Sequence, residues 1–135
     1  LNAIVVDTNI VVMMIRGDEE YETFTGYLEG NKQVLSFATI AEMELWFLKE
    51  KENLPNDALI KWEEFKAQCE VVHTSDGLIA RAAQLAWHLH MNKDESRRRW
   101  HDIWIAATAL ELGIPVVTND ADFQKFKPLG LQVLP

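Results

Sequence analysis

Five carboxylates stand out because their neighbours would ordinarily exclude a charge. Asp7 closes the β-branched run Ile4-Val5-Val6 and is followed by Thr8 and Asn9. Glu42 comes shortly after a second apolar run, and Asp102 stands near the start of the most apolar stretch, residues 100–112. Asp120 and Asp122 follow Ile114-Pro115-Val116-Val117-Thr118-Asn119. A carboxylate taken out of water is costly unless it is paired or bound to a metal. No Lys or Arg occupies these motif positions. If the acids converge, either some stay protonated at neutral pH or a hard cation sits among them. Oxygen ligands without His or Cys favour Mg2+ or Mn2+ over zinc. Each acid also has an ordinary use: Asp7 and Asp102 as helix caps, Glu42 as the capping-box partner of Thr39, Asp120 and Asp122 as turn residues. Convergence decides between the two.

The elements that would bring them together can be read from periodicity. Ile4 to Val6 is a buried strand, and Ile10 to Ile15 a compact apolar helix that Arg16-Gly17-Asp18 interrupts. Asp18 is expected to cap a helix through about Glu29, with Tyr21, Phe24 and Leu28 on one face. Gln33 to Phe37 is the second strand, after which Thr39 caps a helix from Ile40 to about Glu52. Asp57 opens another helix, on which Leu59, Trp62 and Phe65 share a face. Glu70 to His73 is a short strand. Ser75-Asp76-Gly77 then leads into a long helix with Ile79, Ala82, Ala83, Ala86 and Leu89 inward. Residues 92–99 carry no apolar side chain and read as an exposed loop. The last long helix starts at Trp100, and Gly113 ends it with Pro115 just beyond. Pro115 to Thr118 is the fourth strand, Asp120 to Phe126 a turn or short helix, and Leu131 to Leu134 an edge strand.

Strands alternating with helices imply an α/β fold, a largely parallel sheet of about five strands covered on both faces. In such sheets ligands bind beyond the carboxyl ends of the strands. Asp7, Glu42 and the Asp120/Asp122 pair each follow a strand, so they are expected at one edge.

A chain of 135 residues is read as one domain with a proper core. The formal net charge of −8 argues against coating nucleic acid by bulk electrostatics, so any role on nucleic acid would need metal ions or a local basic cluster. One cysteine, Cys69, forms no internal disulfide and fits a reducing compartment. No apolar run approaches the roughly 20 residues of a membrane helix, and no basic leader precedes the first strand, so a cytoplasmic location is expected.

Four motifs in order, Val6-Asp7-Thr8-Asn9, Ser36-x-x-Thr39-Ile40-Ala41-Glu42, His101-Asp102-x-Trp104-Ile105-Ala106-Ala107-Thr108-Ala109 and Val117-Thr118-Asn119-Asp120-x-Asp122-Phe123, resemble the PIN-domain ribonucleases. Specifically, the pattern is similar to the small VapC-type toxins of bacterial type II toxin–antitoxin pairs. It implies a metal-dependent endoribonuclease whose acids map to Asp7, Glu42, Asp102 and Asp120 or Asp122, with Asp120 ranked first because it is nearer the strand end. Thr8 or Asn9, with Thr118 and Asn119, would support the metal ligands. One or two Mg2+ or Mn2+ ions would activate water for in-line attack on an RNA phosphodiester and take up charge on the phosphate. The resemblance also implies a homodimer and a cognate antitoxin that lays a segment along a groove and aims a basic side chain at the acids.

Other features weigh less. Glu44 is about 200° from Glu42 around a helix, so only one can face the site, and Glu42 has the family spacing. Arg97, Arg98 and Arg99 could grip RNA phosphates or form a solvated loop. His73, His88, His90 and His101 show no ligand spacing and read as structural. Cys69, Trp62 and Trp104 read as core. Trp46 and Phe47, adjacent on one helix, cannot both point inward, so one is free for an interface. Three other functions remain: a PIN nuclease of RNA processing, a non-catalytic PIN-like module holding a structural ion or basic peptide, and an aspartyl phosphotransferase. The last is disfavoured because Asn, not Asp, stands at position 9.

Overall fold

In the computed structural model, which describes residues 2–93 and 100–134, five strands form one sheet. They are β1 (Ala3–Val6), β2 (Lys32–Ser36), β3 (Glu70–Val72), β4 (Val116–Val117) and β5 (Val133–Leu134), in the order β3-β2-β1-β4-β5. Every pairing is parallel. The helices are α1 (Thr8–Arg16), α2 (Thr25–Leu28), α3 (Phe37–Glu50), α4 (Ala58–Gln68), α5 (Asp76–Met91) and α6 (Trp100–Leu112), with 3-10 segments at Glu19–Thr23 and Ala121–Leu129.

Strand side chains alternate between faces, and the core divides accordingly. Val5, Val34 and Val116 pack with Leu78, Ala82, Leu85 and Leu89 of α5 and Ile103 and Ala107 of α6. On the opposite face Ile4, Val6, Leu35 and Val117 meet Ile10, Val11 and Ile15 of α1, Met43 of α3 and Trp62 of α4. Covering both faces explains why the strands read as continuous apolar runs. Helix α6 is buried at Ile103 and from Ile105 to Ala109 because it lies against α5, α3 and the sheet. Helix α3 gives Ala38 to the first cluster and Met43 to the second and touches both α1 and α6. It bridges the two layers at the edge where the acids emerge.

Several local expectations are corrected. Helix α3 begins at Phe37, capped by Ser36, whose hydroxyl accepts the Ala38 N–H at 3.1 Å. Ser36 therefore ends β2 and starts α3 with no loop between. Thr39 lies inside the helix, and Glu42 sits a turn further in than a capping box would put it. The expected helix from Asp18 to Glu29 is broken into a 3-10 turn and the short α2, with no side-chain cap from Asp18. Asp57 likewise makes no side-chain cap. Leu59 and Ile79 point outward, while Ala58 and Leu78 take the buried positions. Asp102 lies in the first turn of α6.

Gly113 ends α6 as the sequence implies. Its φ of +68° is left-handed, which lets Ile114 N–H reach back to Ala109 O at 3.0 Å. Burial pushes the Cys69 thiol up to about 12, so it stays protonated and unreactive at neutral pH. Among the described residues no helix is long and apolar enough to cross a membrane.

Trp62 is 1% exposed and anchors α4 to its layer. Trp62→Ala is expected to cost about 3–5 kcal/mol of unfolding free energy, read from urea denaturation. A loss below about 1 kcal/mol would mean that α4 packs independently of that ring.

Candidate active site

Strand register builds the centre of the site. Val6 of β1 pairs with Val117 of β4, so Asp7 and Thr118 leave the sheet side by side. The Asp7 N–H donates to Val117 O at 3.0 Å. Thr118 Oγ1 donates to Asp7 Oδ2 at 2.6 Å, and Asp7 Oδ1 accepts the Thr8 N–H at 2.8 Å, capping α1. The Thr118 hydroxyl also accepts the Asp120 N–H at 2.9 Å. Asp120 Oδ1 accepts the Asp122 N–H at 2.9 Å, which starts the 3-10 segment. One hydrogen-bonded run thus links the ends of β1 and β4 to both later acids.

A second run links the helices. Thr8 Oγ1 donates to Glu42 Oε1 at 2.6 Å and lies 3.0 Å from Thr39 Oγ1, tying α1 to α3. The other Glu42 oxygen is 3.4 Å from His101 Nε2, and the same nitrogen is 3.5 Å from Asp102 Oδ1. His101 therefore stands between the acids of α3 and α6.

These groups line a cleft of about 490 Å3. Asp7, Thr8, Asn9, Glu42, His101, Asp102 and Asp120 supply its polar wall, and Val12, Leu45, Trp46 and Lys49 continue it. Burial, the largest influence, raises the Asp7 carboxyl to about 7. The hydrogen bond from Thr118 opposes it, and the charges of Asp102 and Glu42 raise it further. Such a group is held close to the balance point between acid and carboxylate, and a nearby cation would favour the charged form.

The donor set suits a hard cation: four carboxylates on one cleft, with hydroxyls holding two of them in place. Among the described residues no three His, Cys, Asp or Glu side chains form a ready cage. Mg2+ does not require one, since it keeps several waters and takes one or two carboxylates plus substrate phosphate. The residues fit that mode of binding.

Not every residue named from sequence reaches the cleft. Asp7, Thr8, Asn9, Glu42, Asp102 and Asp120 do, and Thr118 acts from behind through Asp7. Asp122 faces a narrow recess with Asp102, Ile103 and Lys125. Asn119 donates its N–H to Asn9 Oδ1 at 3.4 Å, while its side chain turns to Glu20 Oε2 at 3.2 Å. Glu44 is exposed and does not line the cleft. Arg97, Arg98 and Arg99 lie outside the described residues. The sequence reading missed His101, Trp46 and Lys49 as cleft residues. Position alone held a signal for two of them, because Trp46 and Lys49 follow Glu42 at i+4 and i+7 on one helical face.

The family model of the PIN domain matches residues 4–128. No curated protein matches the chain in sequence. Among solved structures the chain is similar to VapBC2 from Rickettsia felis bound to a promoter DNA fragment, with 22% identity, 98% of this chain and 97% of that chain covered, and a TM-score of 0.76. It is similar to VapBC-5 from Mycobacterium tuberculosis, of the VapBC family of toxin–antitoxin systems, with 26% identity, coverage of 99% and 97%, and a TM-score of 0.71. It is also similar to VapC20 from Mycobacterium tuberculosis, described as a toxin cleaving the sarcin–ricin loop, with 21% identity, 96% of each chain covered and a TM-score of 0.65.

The Asp7 carboxyl gives the metal-free protein a pH signature. The unfolded chain releases this proton near 3.8 and the folded chain near 7, so between them the folded state holds the extra proton. Stability then falls as pH rises, by up to about 4 kcal/mol across that window. In chelator, Asp7→Asn is expected to lack this decline, its stability gaining on the parent from pH 4 to 7. Parallel pH profiles of the two proteins in urea denaturation would exclude the effect.

Proposed function

The chain belongs to the PIN domain family, and from that premise we propose that it is a metal-dependent endoribonuclease, the toxin of a type II toxin–antitoxin pair. The observation that carries this reading is the cleft where Asp7, Glu42, Asp102 and Asp120 meet beyond the carboxyl ends of β1, β2 and β4. Structural neighbours named as VapBC complexes, and one named as a toxin that cleaves the sarcin–ricin loop, support it.

One or two Mg2+ or Mn2+ ions, held by Asp7, Glu42, Asp102 and Asp120 with Asp122 in reserve, would supply positive charge for a phosphodiester and activate water. The protein's own groups do the positioning. Thr118 and the Thr8 backbone hold the two oxygens of Asp7, and the Thr8 hydroxyl holds Glu42 by its Oε1, so both carboxylates are fixed in place. Asn9 and Asn119 hold the start of α1 against the loop after β4. Arg97, Arg98 and Arg99, just ahead of Asp102 in sequence, are assigned to RNA phosphates, which a chain of net charge −8 must otherwise repel.

The same acids suit inhibition. A cognate antitoxin in the cytoplasm would lay a segment along the cleft and place a basic side chain among them. The toxin is taken to act as a homodimer.

Purified protein free of antitoxin is expected to cut total RNA into discrete fragments with Mg2+ or Mn2+ and to stop in chelator. Asp7→Asn and Asp102→Asn, checked for folding, are expected to lower the rate at least about 100-fold, beyond the usual loss for a ligand's supporting partner. Intact RNA after incubation with folded, metal-supplied protein would overturn the nuclease reading and favour a binding module. A chromosomal neighbour encoding no small partner that blocks cleavage would leave an RNA-processing nuclease.

A further inference from the structure

We propose that the outer end of the cleft is a subsite for one nucleotide of single-stranded RNA beside the scissile phosphate, its base against Trp46 and its phosphate held by Lys49 and Arg16. The proposal rests on the nuclease reading and goes beyond it, because none of these residues belongs to the acidic centre.

The geometry begins with α3. Glu42, Trp46 and Lys49 stand at i, i+4 and i+7 and all line the cleft, so one helical stripe leads away from the acids. The helical rise puts Lys49 about 10 Å along the axis from Glu42. Trp46 is half-buried and braced edge-on by Phe47, the ring centroids 5.3 Å apart and the planes at 74°. Its ring is thus an ordered surface. The Arg16 guanidinium, from the last turn of α1, lies 5.6 Å from the ring centroid. One cation over the ring and a second, Lys49, about a turn further along α3 on the same cleft thus accompany one aromatic side chain, on a chain whose formal charge is −8.

An aromatic platform with adjacent cations is how proteins hold single-stranded nucleic acid without reading its sequence. Here the acids and their cation would take the scissile phosphate, and Lys49 with Arg16 the next one. Charge favours RNA at this end, since Lys49 and Arg16 attract a phosphate chain, whereas the basic side chain of an inhibitory segment is drawn to the acids themselves.

The test uses a fluorescein-labelled, unstructured RNA dodecamer and the full chain with Mg2+, in an Asp102→Asn background that spares the probe. Fluorescence anisotropy between 50 and 200 mM salt gives affinity and its salt slope. Adding Trp46→Leu is expected to weaken binding roughly 5- to 150-fold, the range for losing one base–aromatic stack. Adding Lys49→Gln is expected to reduce the slope of log K against log salt by about 0.7, one single-strand phosphate contact. Lys49 is exposed, so its variant carries the test even if Trp46→Leu does not fold. RNA binding unchanged in both variants, while Trp46→Leu and Lys49→Gln alone cut total RNA as the parent does, would overturn the subsite and leave the nuclease standing. Unchanged RNA binding with lost affinity for an amphipathic peptide containing Lys or Arg would assign the face to a protein partner and also overturn it. If the parent neither binds nor cuts RNA, the nuclease reading falls and takes the subsite with it.

Discussion

The structure depends on the burial of one acid at the end of its central strand. Asp7 is 4% exposed, with apolar strands on both sides, and burial alone would make its carboxylate a serious liability. Two hydrogen bonds, from Thr118 and the Thr8 backbone, recover part of that cost. The first exists because β1 and β4 run parallel and in register up to that point, and the second is the local cap of α1. The neighbouring Glu42 and Asp102 then work against Asp7. The fold tolerates this repulsion in the metal-free state and would gain from any cation that relieves it.

Thr8 shows how economically the surroundings are arranged. Its backbone N–H serves Asp7 while its hydroxyl serves Glu42, so the first residue of α1 addresses carboxylates from two different elements. Thr118 serves the other side, donating to the Asp7 carboxylate and accepting from the backbone N–H of Asp120. Each threonine couples an acid to the backbone that presents another acid or its partner. Displacing one threonine would therefore disturb two carboxylates together.

Much of this was legible in the sequence, and what was not has physical causes. The acids were visible because strand ends are marked by an abrupt change from Val and Ile to Asp, Thr and Asn, and the parallel sheet followed from alternating strands and helices. The start of α3 was misplaced because Ser36 is both the last strand residue and the helix cap, leaving no loop to signal the change. The inward face of α5 was set partly wrong because its run of Ala, Leu and Ile offers two adjacent apolar stripes, and only packing against α6 selects Leu78 and Leu85 over Ile79. His101 looked structural because its place between Glu42 and Asp102 arises where two distant helices meet, which no local spacing encodes.

The pairing of Asp7 with Thr118 also orders events in time. These two residues are 111 positions apart, and β4 can take its place beside β1 only once the chain between them has been made. No portion of the chain that stops before Thr118 contains both halves of this contact, or Asp120 behind it. On a translating ribosome the acidic centre therefore cannot be complete before Thr118 and Asp120 have emerged. Whatever chemistry the finished site performs is by this topology withheld until the chain has been made at least as far as Asp120.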